Sequence, residues 1–167
     1  MTGPQIGRRG TLTRSRWLAP LTVVLASFAT AVPLIATVPI LPPFGLMMLM
    51  AWRLRRPDLF RSWSPLPLGA LDDLVSGQPF GSAMMLWTFC FLALDMIEGR
   101  LVWRDFWQDW LIASGAIILC LAFGRLIATP LHASVDLPVL AQMGTSIALY
   151  PAVAAMCARL DPRPSRA

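Results

Sequence analysis

Two carboxylates stand side by side in the stretch Gly69-Ala-Leu-Asp-Asp-Leu-Val-Ser-Gly-Gln-Pro-Phe-Gly81, inside an otherwise apolar run. Adjacent acids can hold a metal or move protons, but both tasks need further groups converging from elsewhere. Few are on offer. The single histidine, His132, falls in a loop, and Cys90, Cys120 and Cys157 lie in separate apolar runs without CxxC spacing. The chemistry that remains is structural. Gly77 and Gly81 permit positive φ and Pro79 fixes a turn, while Ser76, Gln78 and the free N–H groups opening the next helix can donate to a carboxylate. On this reading one aspartate, Asp72 or Asp73, closes the turn and its neighbour faces the other way. The plainer alternative is that both acids mark a membrane surface.

The elements that would carry this turn are apolar throughout. Of 167 residues, 56% are hydrophobic and 14% charged, against about 25% charged in soluble domains. Mean hydropathy is +0.62. Such a chain cannot cover its own surface with polar groups, which points to an all-α integral membrane protein. The net charge of +5 is carried by arginine alone. The arginines fall in short clusters between apolar runs, a topology signal and not a nucleic-acid-binding face.

Six apolar segments can be marked, over residues 17–38, 42–52, 63–74, 80–96, 110–131 and 137–158. The first, fifth and sixth are long enough for a hydrocarbon core of about 30 Å. At 1.5 Å per residue the first would reach about 33 Å, too long for the core of a signal peptide. The second and third have only about a dozen residues each, roughly 18 Å of helix, and contain proline. They are expected to form a short, proline-interrupted hairpin. Residues 1–16 read as a polar amino-terminal tail, 17–160 as one transmembrane domain and 161–167 as a carboxy-terminal tail.

Arginine placement sets the sidedness. Arg8, Arg9, Arg14 and Arg16 precede the first segment, Arg53, Arg55, Arg56 and Arg61 separate the second and third, and Arg100 and Arg104 separate the fourth and fifth. Arg159, Arg163 and Arg166 follow the sixth, which leaves Arg125 alone on the opposite side. Both termini are therefore expected in the cytoplasm. An arginine at a helix centre costs about 2.5–3.5 kcal/mol, so the Arg53–Arg56 cluster is expected to reach the cytoplasmic headgroups.

The segment end Met50-Ala-Trp-Arg-Leu-Arg-Arg-Pro57, followed by the Gly69 to Gly81 turn, resembles the paired signature of the MreD family of rod shape-determining proteins. Asp73 best matches the central acid of that turn, with Gly69, Gly77, Pro79 and Gly81 around it; Asp72 is an extra acid beside it. The resemblance covers nearly the whole chain. It implies a non-enzymatic scaffold in the bacterial inner membrane, without cofactor, that serves cell elongation. Such a scaffold would bind the bitopic protein MreC and link MreB filaments to the peptidoglycan glycosyltransferase and transpeptidase pair. It also implies a fold similar to the substrate-binding subunits of energy-coupling vitamin transporters.

Two further surfaces stand out. In Leu101-Val-Trp-Arg-Asp-Phe-Trp-Gln-Asp-Trp110, the indoles of Trp103, Trp107 and Trp110 share a helical face, with Asp105 and Asp109 one turn apart. This is either an aromatic belt at headgroup level or a docking ridge for a cytoplasmic partner. In the last segment Gly144, Ala148 and Ala152 recur every fourth residue, a face for close packing inside the bundle or for a partner's single span.

Against the scaffold stands a solute-binding or transport subunit, which would need polar groups converging on a midplane cavity. Its candidates are Thr88, Ser114, Gln142, Thr145 and Ser146. A membrane hydrolase would lack a Ser–His pair within its spans.

Overall fold

The computed structural model describes residues 6–31, 42–77, 79–98, 105–128 and 136–161. Among them are six α-helices and no strand: α1 (Ile6–Ala31), α2 (Phe44–Arg55), α3 (Pro65–Ser76), α4 (Ser82–Glu98), α5 (Phe106–Ala128) and α6 (Asp136–Leu160). A 3-10 turn, Pro57–Leu59, follows α2.

The helix positions match the apolar segments, except that α1 starts well before its run, at Ile6, and one correction is needed. Proline does not interrupt α2 or α3. Pro43 immediately precedes α2, and Pro65 opens α3, where the missing N–H would have had no intrahelical acceptor. Leu and Met, which are not branched at Cβ, carry α2 forward until Pro57 restricts the residue before it and stops the helix.

The expected α2–α3 hairpin is not formed. Helix α2 packs on α1, α5 and α6, whereas α3 packs on α1 and most extensively on α4. The outer helices follow one another in the order α1, α3, α4, α5, α6 around α2. This explains why α2 can be short: Gly45 through Leu54 are all buried, so the helix lies almost wholly inside protein. Trp52 anchors it to α1 by donating its indole N–H to Thr22 Oγ1 at 2.9 Å.

The outer helices are inverted relative to a soluble bundle. Ala19, Val23 and Ser27 of α1 face inward at four-residue spacing, while Trp17, Leu21, Leu25 and Phe28 are exposed. Helices α5 and α6 are long and apolar enough to cross a membrane over Phe106–Leu126 and Leu137–Leu160, and little of either stretch is buried.

Charge lies inside. Arg53 does not reach outward as expected. It is buried, pairs with Asp95 of α4, and stands 5.7 Å from the centroid of the Phe91 ring. Asp95 also accepts from Ser62 Oγ at 2.8 Å. Arg55 and Arg56 approach Asp161 at 3.5 and 3.9 Å. Asp161, the first residue of the expected carboxy-terminal tail, is buried.

Removing one member of a buried pair strands the other, at about 3–5 kcal/mol. Arg53 is the more buried partner, with 7% of its side chain exposed against 33% for Asp95. Asp95→Ala should therefore destabilise the purified protein more than Arg53→Met, and Arg53→Met combined with Asp95→Leu should recover much of the loss. Thermal unfolding of the three variants in one detergent checks the order.

Candidate functional site

The turn between α3 and α4 is built around Asp73, which is 2% exposed. Its Oδ1 accepts from Ser82 Oγ at 2.9 Å and from the Ala83 N–H at 2.8 Å. Its Oδ2 accepts from the N–H groups of Gly81 at 2.9 Å and Met84 at 3.3 Å. One carboxylate from the end of α3 thus caps the first turn of α4. The negative charge also meets the positive end of that helix's dipole.

The neighbouring motif residues make this geometry possible. Gly77 ends α3 at φ +68° and Gly81 opens α4 at φ +99°, both in the left-handed region that favours glycine. Gly69 serves close approach: a Cβ there would lie 2.6 Å from Met84 Cα and 2.7 Å from Met84 N. The carbonyl of Pro79 accepts from the Ser82 N–H at 3.1 Å.

Asp72 points elsewhere. Its Oδ1 and Ser27 Oγ of α1 both lie over Gly45, and it lines a cavity at this end of the bundle with Trp87, Arg125 and Gln142. The donors differ in part from those expected. Ser76 Oγ bonds back to the Asp72 carbonyl at 2.6 Å and does not serve Asp73, while Ser82 had not been singled out. Its signal was available: a serine just before an apolar helical run is an ordinary N-terminal residue. Gln78 lies outside the described residues.

The two further surfaces divide. Asp105 stands just ahead of α5, its carbonyl accepting from the N–H groups of Gln108 and Asp109, and its side chain is exposed. Trp107 is exposed, but Trp110 turns inward and donates to the Ile147 carbonyl of α6 at 3.2 Å. Trp107 and Trp110 touch edge to face at 5.7 Å. Trp103 lies outside the described residues, as does His132. Gly144, Ala148 and Ala152 are all exposed, and a Cβ on Gly144 would meet nothing within 4 Å. That face takes no part in packing the described bundle.

The hydroxyls proposed for a midplane solute site do not converge. Thr88, Ser114, Thr145 and Ser146 each bond a carbonyl three or four residues back in their own helix. Cys90 and Cys120 meet between α4 and α5 with their sulfurs 3.3 Å apart, a contact the sequence did not reveal.

Asp73→Asn removes one acceptor oxygen from a buried cap and should cost about 1–3 kcal/mol. Gly69→Val should cost more, since its side chain meets the α4 backbone, and Gly77→Val adds left-handed strain. If the turn were a surface marker, all three would melt with the parent protein in detergent.

No curated protein and no solved structure matches the chain. A family profile described as rod shape-determining protein MreD matches residues 12–160, which include every helix that forms the turn and the central bundle. With the Asp73 cap and its glycines in place within that match, the chain belongs to the MreD family of rod shape-determining proteins, a membrane component of the rod-shape system.

Proposed function

We propose that this protein is a non-enzymatic scaffold of the bacterial cell-elongation machinery, crossing the inner membrane with six segments and keeping both termini in the cytoplasm. It binds an MreC-like bitopic protein and so links MreB filaments to the peptidoglycan synthases. Family membership supports the role in cell shape. The arginine asymmetry supports the orientation, since Arg53, Arg55, Arg56 and Arg61 share one end of the bundle and Arg125 sits at the other.

The observation that carries the partner is a seam between α1 and α6. The outer helices do not close around α2, and a groove of about 350 Å³ remains there. Leu25, Ala26 and Ala29 form one wall and Val153 and Met156 the other, over a floor of Phe44 and Met48. The groove is almost wholly apolar, as a single span from a bitopic partner requires, and small alanines on one wall allow close approach.

Two measurements test this reading. Ala29→Trp and Val153→Trp should leave the isolated protein folded yet prevent co-purification of the MreC-like partner. Gly144→Leu and Ala148→Leu should leave both intact. The reverse pattern would move the partner to the small-residue face of α6. For orientation, Ser76→Cys should be labelled by an impermeant reagent from outside the cell and Asp58→Cys should not, both in a background lacking the native cysteines.

A further inference from the structure

The end of α2 carries more positive charge than the residues around it answer. Arg53 is paired with Asp95, but Arg55 and Arg56 share a single carboxylate oxygen. Asp161 Oδ2 lies 3.5 Å from Arg55 Nε and 3.9 Å from Arg56 Nη1, ion-pair distances at which neither guanidinium completes a hydrogen bond to it. The Nε–H groups of both arginines are sealed from solvent and have no hydrogen-bond acceptor among the described residues. Two cations against one anion leave a surplus of charge where the two side chains are only 25% and 14% exposed. Arginine cannot shed its proton to relieve that surplus, and a poorly solvated cation without a counter-charge is costly. An anion from outside the chain relieves it.

The surroundings select the kind of anion. Each guanidinium is a planar fork of N–H donors, and two forks gathered around one oxygen suit the several oxygens of a phosphate better than a single carboxylate. Because Asp161 holds neither fork through a hydrogen bond, both can turn toward a better acceptor without breaking one. Trp63, on the segment that follows, is exposed, the placement of an indole at the headgroup level of a bilayer. Arg61 and Arg159 are exposed at the same end, so the approach to the pair is cationic too.

We propose that Arg55 and Arg56 form a binding site for a phosphate anion, with Asp161 as the weaker acceptor that holds the pair in its absence. Such a group is found on the headgroups of acidic lipids and as free phosphate. Native mass spectrometry of the purified protein distinguishes them, using phosphatidylglycerol and phosphatidylcholine with matched acyl chains and inorganic phosphate as competitor. The two lipids share the phosphodiester, but the choline cation offsets its charge and is repelled by the arginines. The wild-type protein should retain phosphatidylglycerol over phosphatidylcholine by about tenfold, the difference expected for one charge-assisted hydrogen bond. A preference that withstands the competitor assigns the site to lipid, and phosphate bound in place of the lipid assigns it to a soluble anion. Arg55→Gln combined with Arg56→Gln should abolish the binding, whereas Arg61→Gln combined with Arg159→Gln should keep it. Equal retention of the two lipids by the wild type, with no phosphate bound, overturns the proposal. So does an equal loss in the two double variants, which would mean a diffuse attraction to the whole cationic end. Undiminished binding in folded Arg55→Gln with Arg56→Gln overturns it as well. Should that variant fail to fold, Arg55→Gln alone is judged against Arg61→Gln by the same criterion.

Discussion

Four donors from the start of α4 converge on the buried carboxylate of Asp73. A helix whose first turn is buried in protein cannot give its first N–H groups to water, and an unsatisfied buried group costs about 1–3 kcal/mol. Placing the acceptor at the end of the preceding helix solves that problem and fixes the angle between the two. Gly69 then lets α3 and α4 approach to backbone distance, which makes their contact the most extensive in the molecule. The same arrangement decides what Asp72 does. With Asp73 held by α4, its neighbour is turned toward α1 and the cavity.

At the other end the polar interior is cationic. Arg53 reaches Asp95, and Arg55 and Arg56 reach Asp161, so α2 is tied to α4 and to the end of α6. Between lipid-facing helices the hydrophobic effect supplies little attraction, because acyl chains are as apolar as leucine. Ion pairs, indole hydrogen bonds such as Trp52 to Thr22, and close packing take its place. The Met-rich central helix suits this role, since unbranched side chains fill irregular space between α1, α5 and α6. A ring that leaves α1 and α6 apart keeps part of that helix available.

Much of this was legible in the sequence. Apolar run lengths located five of the six helices to within about four residues, α1 starting eleven residues before its run, because burial in lipid or protein demands continuous hydrophobicity. The Gly69, Asp73, Gly77 and Gly81 spacing disclosed the turn, because positive φ, close approach and helix capping are local demands that only certain residues meet. Other features were not local. The prolines of the short segments looked like interruptions because only the helix boundaries show that they lie at or before a first turn. The Trp107–Trp110 repeat looked like one face, yet Trp110 was drawn inward by a carbonyl on α6.

The sequence alone determined which residues could not face water and which positions required glycine, since transfer free energy and backbone sterics belong to single residues and their neighbours. Tertiary structure decided which charges meet. Arg53 finds Asp95, Arg55 finds Asp161, and Ser27, Gly45, Asp72 and Trp87 assemble from four helices. These choices depend on how helices of similar composition pack around α2. A hydrophobic pattern carries no information about that order, because apolar faces attract without direction and only the packed bundle brings distant polar groups within reach.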